Sequence, residues 1–319
     1  MTAIVEHCER FVRLEVDAAP CVAYPGLTGP VAIGDDVLVN VQARNLLLGS
    51  GGFDVLYANL TRGLGLAPDE GAHVMKLPYT PLQRAVKHAE EDEPQAPALA
   101  GMPVVCCSLH SQVAPVCAGV GRDARVVFLQ LAGGALPVSL SDTIRTLHAR
   151  GLVETSVAVG SCIEADAVCV SVASGLAWAA GAGFDAAVCA IGPGIVGTGS
   201  PLGHGGVAAA EAANAASALE GRAVVAIRAS AADARDRHRG VSHHSRAVLR
   251  LCLGDVVAAW PRGEPAPEWL EGREEVNVDG WEEECAGLPL EHMGRTPGDD
   301  PLFFAAAFAA GRAARNLLH

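Results

Sequence analysis

The spacing of hydrophobic residues changes along the chain. Residues 11–60 contain short β-branched and aromatic runs separated by glycine and proline, a pattern typical of short strands joined by turns. The turn-then-strand stretch AIGDDVLVN resembles the edge of a small barrel. We therefore predict a β-rich, barrel-like domain over residues 1–65. Residues 66–101 are rich in proline and acidic residues, which favours a solvated connector.

A different texture begins at Met102, where apolar runs alternate with longer alanine-rich stretches. Near-continuous apolar strands indicate a parallel sheet that is covered on both faces. The sequence therefore predicts an α/β domain over residues 102–262, a doubly wound, mostly parallel, Rossmann-like sheet. Residues 263–319 form a predicted C-terminal extension with a docking helix, which Asp299 or Asp300 can cap. The predicted strands are MPVVCCSL, ARVVFLQL, TSVAVG, AAVCAIG, RAVVAIRAS and DVVAAW.

Charge narrows the range of partners. The 319 residues carry a net charge of -13, so the surface as a whole repels nucleic acid and anionic lipid. We expect no nucleic-acid partner and no membrane partner. The N-terminus has acidic residues where a signal peptide needs basic ones, and the ten cysteines lie in apolar runs, so we expect a cytoplasmic protein with reduced thiols. The oligomeric state is left open.

A glycine-rich segment, GPGIVGTG, follows the fourth predicted strand. Ligands of parallel sheets bind at the carboxyl ends of the strands, and glycines there let backbone N–H groups approach an anion. Two other interpretations stay open. The spacing matches a dinucleotide fingerprint, although Pro193 removes one donor and the motif does not follow the first strand. It also suits a purely structural tight turn. The predicted anion-binding glycines are Gly192, Gly194, Gly197 and Gly199.

The fifth predicted strand runs into RASAADARDRHRGVSHHS, residues 228–245. Guanidinium groups bind carboxylate or phosphate through paired hydrogen bonds, so a local basic cluster in an acidic chain favours a small anionic ligand. The alternative is a network of arginines with Asp233 and Asp236 that fixes a loop. The predicted anion-binding arginines are Arg228, Arg235, Arg237 and Arg239.

Histidines near the same predicted edge suggest catalytic roles. We predict His110 or His238 as a general acid or base, and Asp233 as the residue that orients a histidine or a metal-bound water. A nucleophile at Ser111 or Cys162 is a weaker hypothesis, because neither lies in a recognised nucleophile motif.

A divalent metal site is a further alternative, because histidine and carboxylate are suitable ligands. No spacing matches a known metal motif, so we assign no metal ligand and leave the cofactor unknown. Adjacent His243 and His244 are expected to point to different sides of a helix, so at most one would reach a given site. The residues considered were His110, His204, His238, His243, His244, Asp142 and Asp233.

Several motifs together resemble a bacterial family described only as a domain of unknown function, family thirty-eight sixty-six. They cover nearly the whole chain in the family's order, with Ser108 where the family form GLHSQ has glycine. The resemblance implies no activity, substrate or catalytic residue. The motifs are AYPGLTGPVAIGDDVLVN, HVMKLPYTPLQ, SLHSQVAPVCAGV, GALPVSLSD, GPGIVGTGSPLG, RHRGVSHHS and HMGRTPGDDPLFFAAA.

The sequence therefore favours a cytosolic enzyme or binding protein for a small anionic metabolite, phosphorylated or carboxylated, at the carboxyl edge of the sheet. One alternative is a non-catalytic sensor or scaffold with a structural arginine network. Another is a metal-dependent hydrolase.

Overall fold

Two compact units make up the chain, Met1–Lys87 and His88–His319. The computed structural model describes residues 1–48, 51–63, 65–92 and 95–318. The division between the units falls inside the segment 66–101 that the sequence predicts as a connector. Residues 49–50, 64, 93–94 and 319 of the predicted segments lie outside the described residues.

The first unit is built on a five-stranded sheet of order β1-β2-β3-β5-β4. Apolar side chains on alternate positions, among them Val12, Leu14 and Leu56, form its core. Within the described residues β1 and β4 are the two edges and do not pair, so the sheet is open rather than a closed barrel. The elements of this unit are β1 (Ala3–Cys8), β2 (Phe11–Val16), β3 (Ala19–Ala23), α1 (Pro25–Thr28), β4 (Val37–Asn40), α2 (Gln42–Asn45), β5 (Asp54–Asn59), β6 (Val74–Lys76) and β7 (Arg84–Val86).

The second unit is built on an eight-stranded parallel sheet, which confirms the predicted α/β class. Its order is β11-β10-β9-β12-β8-β13-β16-β17. No helix in the described part of the chain is long and apolar enough to cross a membrane. The strands of the sheet are β8 (Pro103–Cys107), β9 (Val126–Leu131), β10 (Thr155–Val159), β11 (Ala167–Cys169), β12 (Ala186–Ile191), β13 (Arg222–Ala226), β16 (Val256–Pro261) and β17 (Glu274–Val276). Two short strands outside it, β14 (Ala229–Ser230) and β15 (Gly240–Val241), form a separate antiparallel pair. The helices are α3 (Val113–Val120), α4 (Asp142–Ala149), α5 (Val172–Gly181), α6 (Ala208–Ala218), α7 (His243–Leu251), α8 (Trp281–Glu284) and α9 (Pro301–Asn316).

Helices cover both faces of this sheet. Successive strand residues point to opposite faces, so Val104 packs with α5 and α6, whereas Val105 packs with α3, α4 and α9. All six predicted strands are present in the sheet. The sequence did not predict β11 and β17, because three residues are too few to show a pattern.

The order of the strands places a topological switch point at β8. The chain leaves β8 toward α3 on one face, whereas it leaves the neighbouring strands β12 and β13 toward α6 and α7 on the other face. Parallel sheets bind ligands at the carboxyl ends of strands beside such a point. A ligand site is therefore expected at the carboxyl ends of β8, β12 and β13.

Helices α3 and α9 approach each other through glycines. A Cβ atom on Gly311 would overlap the carbonyl oxygen of Val116, and one on Gly119 would lie 2.5 Å from that of Phe308. We expect Gly311→Ala to lower the free energy of unfolding by about 3 kcal/mol, because the methyl group forces the helices apart. Urea unfolding measures this loss. The matched control is Gly298→Ala, whose nearest neighbouring atom would be 3.8 Å away. Equal stability of the two variants would contradict the close approach.

Candidate functional site

Three loops meet at the switch point, and a fourth segment joins them from the C-terminal part of the chain. The loops follow β8, β12 and β13 and carry residues 108–112, 192–207 and 228–242. The fourth segment, residues 292–300, precedes α9. Its contacts with the loop after β13 are made by Arg295 and Asp300. Two groups of side chains lie here. The arginine cluster comprises Arg228, Asp233, Arg235, Arg295 and Asp300, and the histidine cluster comprises His204, His238, His243 and His244.

Asp233 is the centre of the arginine cluster and is only 2 % exposed. Its carboxylate accepts hydrogen bonds from Nε and Nη2 of Arg235 at 2.9 and 2.8 Å. Nη2 of Arg295 lies 3.3 Å away and Nη2 of Arg228 lies 3.7 Å away. The hydrogen bonds from Arg235 hold the pKa of Asp233 well below its usual range. Asp233 therefore anchors arginines, whereas the sequence had suggested that it orients a histidine or a metal-bound water.

Asp300 is the second buried carboxylate of the cluster. It accepts hydrogen bonds from Ser230 Oγ at 2.5 Å and from the amide of Ala231 at 3.0 Å. It occupies the position before α9, but its side chain makes no capping hydrogen bond to that helix. Asp300, which the sequence predicts as a helix cap, instead connects the loop after β13 to the start of α9 by hydrogen bonds.

Arg228 is 3 % exposed and has more donors than acceptors around it. Its Nη1 donates to Nδ1 of His244 at 2.9 Å, but its Nε has no hydrogen-bond partner within the described structure. The same holds for Nε of Arg295, which lies 3.3 Å from Asp300 without the alignment of a hydrogen bond. Burial and the neighbouring Arg235 lower the pKa of Arg228 to about 10. Three guanidinium groups thus face two carboxylates, and a positive charge remains uncompensated.

The other two predicted arginines lie outside the ion pairs of this cluster. Arg239 pairs with Asp236 at 3.6 Å and donates from Nε to the backbone carbonyl of Asp233 at 3.4 Å, and its side chain is 60 % exposed. Arg237 is exposed and contacts His238 through Nε at 3.4 Å. The four arginines therefore do not share one face, because the 3-10 turn Asp236–His238 contains Arg237 and separates Arg235 from Arg239.

The histidine cluster contradicts the expectation that only one of His243 and His244 reaches a given site. The ring of His204 stacks on that of His244 with centroids 3.7 Å apart and lies 5.7 Å from that of His243. The reason is their position at the very start of α7, where Ser242 Oγ caps the amide of His244 at 3.2 Å. His243 and His244 are the first two residues of α7, so no earlier helical turn lies between their side chains and the loop that carries His204. Both rings can therefore contact His204.

Burial keeps these imidazoles neutral. It lowers the pKa of His204, and together with the charge of Arg228 it lowers the pKa of His238 to about 3 and that of His244 to about 2. His238 is further fixed by a 2.7 Å hydrogen bond between Nδ1 and Ser242 Oγ. His204 is 5 % exposed, and neither ring nitrogen has a partner at hydrogen-bonding geometry in the described residues, although the Pro201 carbonyl opposes the fall in its pKa.

The glycine-rich segment forms a hairpin-like loop that positions His204. The amides of Val196 and Thr198 donate to the carbonyls of Gly133 and Gly203 at 2.9 and 2.7 Å, so these donors are already used. Among the predicted glycines, Gly192 packs where a Cβ would overlap Ala135 and Gly194 has a positive φ of 70°. Gly197 bridges to His204, and Gly199 is exposed with open space around it.

His110 lies at the same sheet edge as the arginine cluster but turns toward β9 and β12. Its Nδ1 lies 3.1 Å from the Ile191 carbonyl and its Nε2 lies 2.6 Å from Ser141 Oγ. Burial lowers its pKa to about 4. Both ring nitrogens are therefore engaged, which suits a residue that joins the loops after three strands.

Sequence reasoning missed the segment 292–300. His292 is 4 % exposed, stacks on Phe303 at 3.9 Å and places Nδ1 3.1 Å from Ser111 Oγ. Burial and Arg228 lower its pKa to about 3. The segment was missed because it belongs to no predicted strand of the sheet. A usable signal was nevertheless present, since the polar run HMGRTPGDD directly precedes the predicted docking helix.

Comparison with known proteins gives a family but no activity. The model of a family described as "Protein of unknown function (DUF3866)" matches residues 20–311, which confirms the resemblance seen in the motifs. No curated protein and no solved structure matches the chain.

Proposed function

The chain belongs to this family of unknown function, and from its own residues we propose that it binds a small anionic metabolite, phosphorylated or carboxylated, at the arginine cluster. The observation that carries the proposal is the buried Nε–H group of Arg228, which has no hydrogen-bond partner in the described structure, whereas Nε of Arg295 pairs with Asp300 at 3.3 Å. A buried donor that is left unsatisfied costs about 1–3 kcal/mol. An anion that accepts from Arg228 would remove that cost and compensate the remaining positive charge.

The chemistry of the cluster favours oxygen anions. Guanidinium groups pair with carboxylate and phosphate in a planar, two-point geometry. The cluster is also screened from water, which strengthens such contacts. A cofactor is not required for this recognition.

The histidines support recognition better than proton transfer. A general acid or base works best when its pKa is near the working pH, whereas the pKa values of His110 and His238 are lowered to about 4 and about 3. At neutral pH both are neutral groups that hydrogen-bond their neighbours. We therefore propose binding as the primary function and give His238 the role of lining the site.

The alternative, a scaffold with a structural arginine network, is favoured by the paired hydrogen bonds between Arg235 and Asp233. These contacts explain how the loop is fixed. They leave the unpartnered Nε of Arg228 unexplained, and anion binding tests this difference.

We expect phosphate or a dicarboxylate to raise the melting temperature of the metal-free protein. A ligand at a hundred times its Kd stabilises by about 2.7 kcal/mol, which corresponds to roughly 5–10 °C for a unit of this size. Arg295→Gln should weaken the titrated affinity at least about tenfold, because it removes a charge-assisted donor. Arg250→Gln is the control and should bind as the wild type does, since Arg250 is an exposed residue of α7 outside the arginine cluster. Absence of any stabilising anion, or equal loss in both variants, would favour the scaffold.

A further inference from the structure

Three histidines from two separate loops bring their ring nitrogens together beside Arg228. One ring nitrogen from each of His204, His243 and His244 lies within 4.8 Å of the other two. His204 comes from the loop after β12, whereas the other two begin α7. Both ring nitrogens of His204 are buried without a partner at hydrogen-bonding geometry in the described residues, and the Pro201 carbonyl is close enough to act on the ring.

The separation of the nitrogens is close to what a metal ion requires. Two imidazole nitrogens bound to one tetrahedral zinc ion at about 2.1 Å each are about 3.4 Å apart. The three ring nitrogens, which lie within 4.8 Å of one another, therefore need to approach by up to about 1.4 Å. The ring of His243 is half-buried and can rotate to do so.

We propose that His204, His243 and His244 bind one divalent transition-metal ion, with zinc as the best-suited probe. Imidazole is a suitable ligand for Zn²⁺, Cu²⁺, Ni²⁺ and Fe²⁺. Three protein ligands leave at least one coordination position for water or for an anion oxygen, which is the composition of many catalytic zinc sites.

Arg228 couples this site to the arginine cluster. A guanidinium only donates, so the 2.9 Å contact makes Nδ1 of His244 the acceptor. A metal at Nδ1 replaces this hydrogen bond, and a metal at Nε2 moves the ring proton to Nδ1, which also breaks it. Either way, an Arg228 N–H group is released next to the ion. An anion that bridges the metal and Arg228 offsets the repulsion between these two positive charges.

The test is a zinc titration of the full-length chain without an affinity tag, after treatment with EDTA. Calorimetry should show one equivalent of zinc per chain. His243→Ala should weaken binding at least about 100-fold, more than the loss of an outer-shell partner typically causes. His148→Ala is the matched control, because His148 lies in α4 outside the cluster, and its affinity should equal that of the wild type. No stoichiometric binding, or equal affinity in His243→Ala, would overturn the proposal.

A second measurement guards against a folding defect in the variant. Wild-type protein loaded with Co²⁺ should show the intense visible absorption of a tetrahedral nitrogen-ligated site, and its absence would count against the site. Phosphate binding to the metal-free protein reports on the arginine cluster alone. Zinc binding without phosphate binding would therefore reject only the proposed function, and the reverse result would reject only the metal site.

Discussion

Asp233→Ala should lower the free energy of unfolding of the second unit by about 3–5 kcal/mol, the loss typical of removing one partner from a buried ion pair. The variant leaves the guanidinium groups of Arg228 and Arg295 buried beside each other, with Asp300 as the remaining carboxylate of the cluster. Their mutual repulsion and missing hydrogen bonds both destabilise the folded state. The melting temperature should fall by roughly 6–20 °C.

Arg235→Ala separates the loss of a buried charge from the loss of one surface contact. The side chain of Arg235 is 41 % exposed. Its removal leaves Asp233 in place, so the buried guanidinium group of Arg228 keeps its carboxylate partner. Urea unfolding should show a much smaller loss than in Asp233→Ala. If Asp233→Ala unfolds within about 1 kcal/mol of the wild type, Asp233 is not the anchor that holds this loop.

Mild acid should destabilise the protein steeply, well before the carboxylates titrate. His110 and His292 have folded-state pKa values of about 4 and about 3, below the value of about 6.5 expected for unfolded histidine. Between the folded-state and unfolded-state pKa values, the unfolded chain binds more protons than the folded chain. The contribution of the two neutral histidines to the free energy of unfolding is therefore complete above pH 6.5 and is lost as the pH falls toward 4. Each such group contributes up to about 1.4 kcal/mol per pH unit between pH 6 and 5, so these two alone give a slope of up to about 2.7 kcal/mol per pH unit, to which the other buried histidines add. Asp233 adds its own loss only below about pH 4, because its folded-state pKa is lowered further.

Urea unfolding at pH 7, 6 and 5 measures this slope. His292→Gln removes one buried imidazole, and the slope should be shallower by up to about 1.4 kcal/mol per pH unit. His7→Gln serves as the control, since His7 lies in β1 of the other unit. A wild-type stability that stays constant from pH 7 to 5 would show that these rings are protonated in the folded protein.

The fold was predictable to the extent that its strands are long and apolar. Strands such as β9 and β12, with six buried residues each, show a continuous pattern. Strands β11 and β17 have three residues each and owe their form to pairing with β10 and β16, which no local pattern encodes. The expected barrel was wrong for the same reason. Closure would require β1 to pair with β4, and no local sequence pattern encodes such long-range pairing.

The candidate site was predictable only in its location. The rule that parallel sheets bind ligands at their carboxyl edge placed Arg228 correctly at the end of β13. It gave no orientation for Arg237, which lies in the 3-10 turn Asp236–His238, or for Arg239, which follows that turn. Arg295 and His292 were missed because they come from a segment that reaches the sheet edge through the packing of α9, a long-range contact.

The hydrogen bond between Ser230 and Asp300 joins residues that are 70 positions apart in the chain. During synthesis the strands of the sheet leave the ribosome before this partner does, so a nascent chain that ends before residue 300 has all the strands and only part of the arginine cluster. The arginine cluster is therefore complete only in a chain that includes the start of α9. Because α9 also covers one face of the parallel sheet, the same helix links the core of the second unit to the proposed anion site.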